Sequence, residues 1–170
     1  MSEVLARWNQ LPEEQAAREI LACCGSNAWA GSMALRRPIG DELSLIETSD
    51  AIWLSLGEAD WIEAFRSHPR IGESRPESNS ASQSSAWSEQ EQQKAAIAEE
   101  ALKTALKWGN REYEQKFGRI FIVCATGKSA GEILEILRRR LHNDGVTELQ
   151  LAAEEQRQIM QIRLNKWIAG

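Results

Sequence analysis

The 170-residue chain is 42% hydrophobic and 26% charged, the size and mix of one globular domain that can bury a core without disulfides or a metal. Twenty basic residues against 25 acidic ones leave a net charge of −5 and a pI near 5.2, which argues against a protein that coats nucleic acid or an anionic membrane. No run approaches the roughly 18 apolar residues of a membrane span and the first ten residues carry no basic-then-apolar leader, so the expected compartment is the cytoplasm. In chain order, Pro12-Glu13-Glu14 opens a helix whose Ala16, Ile20, Leu21 and Cys24 share a face, and Gly25 stops it. Ser26 caps a second helix with Trp29 and Met33, ended by Arg37-Pro38 and Gly40. Asp41 begins a stretch read as two short helices divided near Ser49-Asp50 and closed by Gly57. Trp61, Ile62 and Phe65 mark another short helix before His68-Pro69.

From Ser74 to Ser88 seven of fifteen residues are serine and almost none is apolar, which predicts a surface loop; loops of this length are often functional. Ser88-Glu89-Gln90-Glu91 has the S-x-x-E form of a capping box and starts the longest helical pattern, through Ile97, Leu102, Leu106 and Trp108 to Gly109, with Tyr113 and Phe117 extending it to Gly118. Residues 120–124, Ile-Phe-Ile-Val-Cys, form the one strand-like run, and a lone strand has no sheet to join. Ser129-Ala130-Gly131-Glu132 is a second capping box, and Thr147 caps a last helix through Leu151, Ile159, Ile162 and Trp167. The expectation is an all-α fold, a single domain over residues 1–170 built as a bundle of seven to eight helices.

Most apparent motifs have structural explanations. Gly127-Lys128-Ser129 resembles the end of a phosphate-binding loop, but the glycine that pattern needs five positions earlier is Ile122. Arg138-Arg139-Arg140 falls in the last turn of a helix, where cations complement the dipole. The seven tryptophans are spread from Trp8 to Trp167 and read as core. Cys23 and Cys24 are adjacent and Cys124 stands alone, so reduced, packed thiols are expected; with two histidines and no H-E-x-x-H, so is a metal-free chain. His68 is different, because Pro69 holds it extended just past a helix end, with its imidazole free of helix packing. A half-buried structural histidine, a catalytic one, a helical interaction module without chemistry and a phosphate binder all remain open on spacing alone.

Several motifs, however, occur together and in order: Cys24-Gly25-Ser26 with Trp29, Arg37-Pro38-Ile39, His68-Pro69-Arg70-Ile71-Gly72, Trp87-Ser88 with Glu91-Gln92, Tyr113 with Phe117-Gly118, residues 121–129, and Arg163-Leu164. From about Leu21 to Leu164 the chain resembles the 2-oxo-4-hydroxy-4-carboxy-5-ureidoimidazoline (OHCU) decarboxylases, which form (S)-allantoin in urate degradation. The resemblance implies a carboxy-lyase with His68 as catalytic proton donor and Glu91 as its partner. It also implies substrate contacts from Pro69, Ser88 and Gln92 and from residues Ile122, Val123, Cys124 and Ala125, with Arg163 on the carboxylate. Ser85 and Glu89 compete with Ser88 and Glu91 for alignment, and Gln92 directly after Glu91 favours the latter pair. The implied partners are the small-molecule substrate and a second copy of the chain in a homodimer, with neither nucleic acid nor membrane. No cofactor is implied. The leaving carboxylate of such a substrate sits beside a C=N bond that receives its electrons, so a pyridoxal or thiamine electron sink would be redundant. A carboxylate near His68, such as Glu91, would fix the imidazole tautomer and favour its charged form.

Overall fold

The computed structural model of the chain describes residues 2–72 and 89–170, and within it the side chains from residue 97 onward in the second stretch. The serine-rich segment, Ser85 and Ser88 lie outside the described residues, as do the side chains of Glu89, Glu91 and Gln92. Among the described residues there are eight helices and no strand: α1 (Glu3–Asn9), α2 (Glu13–Cys24), α3 (Asn27–Leu35), α4 (Glu42–Ser55), α5 (Glu58–Arg66), α6 (Glu89–Phe117), α7 (Ala130–Arg140) and α8 (Gly145–Ala169). The all-α expectation holds. These elements form two compact units.

The first unit comprises residues Met1–His68, Ile122–Cys124 and Val146–Gly170. Its core holds Trp8, Trp29, Trp53, Phe65, Ile20, Met33, Leu45, Ile122 and Met160, all nearly or fully buried. Side chains of this size contribute roughly 1.5–3 kcal/mol each when withdrawn from water. The indole N–H groups of Trp8 and Trp53 donate to the carbonyls of Ala16 and Ala153, both at 2.9 Å, so burial leaves those donors satisfied. Helix α1 is an element that the sequence reading does not anticipate. Ser2 Oγ accepts from Leu5 N at 3.2 Å to cap it, and Leu5 and Trp8 bury its inner face.

Helix α2 ends as expected at Gly25, whose φ of +88° is the left-handed cap that glycine adopts without strain. The sequence from Asp41 forms one helix rather than the two expected. Asp50, the supposed break, accepts from Arg157 at 2.6 Å and from Gln161 at 2.8 Å, both on α8. A polar residue that competes with the backbone in an isolated helix is here engaged through its Oδ2 by a distant element, and α4 continues to Ser55.

The second unit comprises residues Pro69–Phe121 and Ala125–Gly145. Helices α6 and α7 approach so closely that a Cβ on Gly109 would lie 2.6 Å from Leu137 Cδ2, which explains a glycine inside a long helix. Ser129 and Glu132 cap α7 reciprocally: Glu132 N donates to Ser129 Oγ at 3.2 Å, and Ser129 N donates to Glu132 Oε2 at 2.7 Å. The chain's own carboxylate thus occupies the N–H that a bound phosphate would use, which disfavours Gly127-Lys128-Ser129 as a phosphate loop. Arg140 departs from its neighbours Arg138 and Arg139, being buried with its guanidinium 4.8 Å from the centre of the Phe121 ring. The tryptophans are not uniformly core, since Trp108 is 63% exposed. The strand-like run is buried from Phe121 to Cys124 but joins no sheet.

Candidate active site

His68 follows α5 by two residues, and its backbone N–H donates to Phe65 O at 3.2 Å in the helix's final turn. Gly25 makes this arrangement possible, because a Cβ there would overlap Ser67 Oγ and lie 2.6 Å from Ser67 Cβ. The end of α2 thus packs directly against the residue before His68. Beyond His68, the rest of the motif is fixed within the second unit. Pro69 is exposed, Arg70 forms a two-pronged ion pair with Glu114 at 2.5 and 3.0 Å, and Ile71 O accepts from Asn110 at 2.8 Å.

Helix α8 supplies the other side chains of the site. Arg163 Nη2 lies 3.5 Å from His68 Nδ1, and its Nη1 reaches Ala22 O at 3.4 Å. No carboxylate pairs with Arg163 among the described residues. Gln156 is fully buried two turns away, the spacing that puts it on the same helix face as Arg163, and its Nε2 donates to Cys24 O at 3.3 Å. Glu155 accepts from the backbone N–H of Cys124 at 2.6 Å, holding the buried segment 122–124 against α8. Ala125, in the second unit, is exposed, and its carbonyl accepts from Lys128 N at 3.0 Å.

The surroundings of the imidazole push its pKa below the ordinary value. Burial is the main cause, the adjacent Arg163 charge adds to it, and Gln156 opposes both. The described neighbours therefore favour neutral His68, the reverse of the charged form expected from a nearby carboxylate. The same helix-end region holds two buried thiols on α2: burial raises Cys23 to about 11 and Cys24 to about 12, and the charge of Arg163 lowers both slightly. They are packed and protonated rather than nucleophilic. No group of three or more His, Cys, Asp or Glu side chains with metal-binding geometry occurs among the described residues.

Of the sequence-predicted residues, the structure brings His68, Arg163 and the segment Ile122, Val123 and Cys124 into one compact unit. Ser88 and the side chains of Glu91 and Gln92 lie outside what is described. Sequence reasoning misses Glu155 and Gln156. The seven-residue spacing from Gln156 to Arg163 is the available signal, but an inward glutamine is locally indistinguishable from an outward one.

The family model for OHCU decarboxylase matches residues 9–165. The chain is 36% identical over 145 residues to the uric acid degradation bifunctional protein TTL of Arabidopsis thaliana, covering 85% of this chain and 44% of that protein. It is 42% identical over 55 residues to the 2-oxo-4-hydroxy-4-carboxy-5-ureidoimidazoline decarboxylase of Amia calva, covering 32% of this chain and 31% of that one. These alignments span less than half the length of either curated relative. A crystal structure of OHCU decarboxylase in the presence of (S)-allantoin superposes with a TM-score of 0.72 at 33% identity, covering 89% of this chain and 98% of that one. An (S)-allantoin synthase structure shares the fold at a TM-score of 0.70 and 16% identity, over 96% of this chain and 53% of that one.

Proposed function

The chain belongs to the OHCU decarboxylase family, and we propose that it is a cofactor-independent carboxy-lyase converting 2-oxo-4-hydroxy-4-carboxy-5-ureidoimidazoline to (S)-allantoin. The observation that carries this reading is Arg163, a guanidinium without a carboxylate partner among the described residues, set against the half-buried imidazole of His68. A cation waiting beside a proton-transfer group suits a substrate that loses a carboxylate and then needs a proton placed on carbon.

The chemistry runs in two stages. The substrate's carboxylate and hydroxyl share a ring carbon, and the neighbouring carbon bears the ureido group and is doubly bonded to a ring nitrogen. When CO₂ departs, its bonding electrons form a double bond between the two carbons, and the C=N pair moves to the nitrogen, which takes up one proton. The result is an enol. Arg163 would hold the carboxylate out of the ring plane, where the breaking bond overlaps the π system, and its planar fork suits that task. The enol then loses its hydroxyl proton while the adjacent carbon gains one. Neutral His68 has a lone pair that takes the first proton, and as imidazolium it is the donor that supplies the second. Delivery from one side sets the (S) configuration.

Glu91 serves as the second catalytic group. Pro69, Ser88, Gln92 and residues 122–125 surround the substrate in this reading, as the family resemblance implies. Within this segment, Cys124 N–H donates to Glu155. In this reading, which follows the family resemblance and the sequence expectation, the working enzyme is a cytoplasmic homodimer. The test is the rate of OHCU consumption and CO₂ release. His68→Asn is expected to lower kcat by about 10²-fold or more, and Arg163→Lys to raise KM with a smaller loss in kcat. Wild-type rates in both variants would remove the assignment.

A further inference from the structure

We propose that Gln156 is a positioning residue that holds the Nε2–H of His68, making Nδ1 the nitrogen that exchanges protons with substrate. The inference rests on the reading of His68 as the proton-transfer group.

Three observations converge. Arg163 has only donors, so its approach to Nδ1 at 3.5 Å favours a lone pair there, with the neutral imidazole's proton on Nε2. That Nε2 is buried and completes no hydrogen bond among the described residues. Gln156 is fully buried, and its amide orientation is set by its Nε2 donating to Cys24 O, so its Oε1 is the free end. Gln156 Oε1 is likewise buried with no completed hydrogen bond. A buried donor without an acceptor and a buried acceptor without a donor each cost about 1–3 kcal/mol, and a hydrogen bond between the two would remove both penalties. Gln156 acts on the imidazole in the direction such a bond would, favouring its charged form against burial and Arg163.

Water cannot reach Nε2, so substrate cannot reach it either, which leaves Nδ1 as the working nitrogen. When Arg163 moves onto the substrate's carboxylate, Nδ1 is uncovered, and the lone pair needed for the enol proton is present only if Nε2 keeps its hydrogen. Gln156 guarantees that tautomer in the way a metal-bound histidine is oriented by the partner of its other nitrogen. Among the described residues, the charged and titratable groups around this pair are Arg163 on α8 and, beside Arg163, the thiols of Cys23 and Cys24 on α2. Glu63 on α5 acts on Cys24, and Glu155 on α8 is engaged with Cys124 N–H.

Two measurements test the proposal on the intact protein. The first is ¹⁵N NMR of the wild-type imidazole, assigned with His68→Asn, which should show the proton on Nε2. The second is the pH profile of kcat/KM for Gln156→Glu and Gln156→Leu, with circular dichroism to establish that each is folded. Glutamate should move the His68 limb to higher pH by about a unit through a stronger acceptor. Leucine should move it to lower pH and reduce kcat about tenfold, with KM changed less. A purely structural glutamine would shift the limb in neither variant, or in the same direction in both, and either result overturns the proposal, as does a proton found on Nδ1. If Gln156→Leu does not fold, the wild-type tautomer and the Gln156→Glu limb decide the matter. Loss of the catalytic reading would appear separately, as full activity in His68→Asn.

Discussion

At the scale of single residues, His68 links protonation to stability. Its pKa is lowered in the fold, so as pH falls below the ordinary imidazole value of about 6.5 the unfolded chain takes up a proton before the folded one does. Stability from this group is therefore complete above about pH 6.5 and declines as pH drops toward its lower folded pKa. The expected result is that melting temperature falls more steeply between about pH 7 and pH 5 in the wild type than in His68→Asn. Equal slopes would contradict the burial and Arg163 effects. The thiols give an independent check. With Cys23 near 11 and Cys24 near 12, and Cys124 also buried, native protein at about pH 8 should react with a thiol reagent orders of magnitude more slowly than protein unfolded in guanidinium. Rapid native labelling would mean that the α2 end opens readily. His68 and Arg163 are legible in the sequence as members of a set of motifs. Gln156 is not, because its significance lies in contacts with Cys24 and His68, both remote in the chain.

At the scale of elements, two glycines control how helices approach the site. Gly25→Ala combines a left-handed φ with a Cβ that overlaps Ser67 Oγ, and should cost at least about 2 kcal/mol while displacing the residue that precedes His68. Chemical denaturation measures the first effect. A fall in kcat beyond that explained by unfolded protein measures the second. Gly109→Ala should also destabilise, by about 1–3 kcal/mol, because its overlap with Leu137 outweighs the gain in helix propensity of roughly 1 kcal/mol. A more stable Gly109→Ala protein would show that α7 can yield. Periodicity and caps make α2, α3, α5 and α7 readable from the sequence, since each carries its own start or stop signal. Helix α4 is harder, because Ser49-Asp50 has the look of a local break. What carries the helix through it is Arg157 and Gln161, more than a hundred residues further along the chain.

At the scale of the molecule, one helix does most of the positioning: α8 contributes Arg163 beside the imidazole, Gln156 behind it and Glu155 to the buried 122–124 segment. The fold class follows from helical periodicity, but this convergence on one helix has no local signature. Sedimentation at several protein concentrations tests the proposed homodimer, which should persist at micromolar concentration; a monomer throughout would exclude it. The central claim is stereospecific decarboxylation, and circular dichroism of freshly generated OHCU, made from urate in situ, measures it most directly. The (S)-allantoin signal is expected to grow far faster with the protein than without it and to end in one enantiomer. A signal no faster than the uncatalysed reaction, ending in racemic allantoin, would contradict that claim.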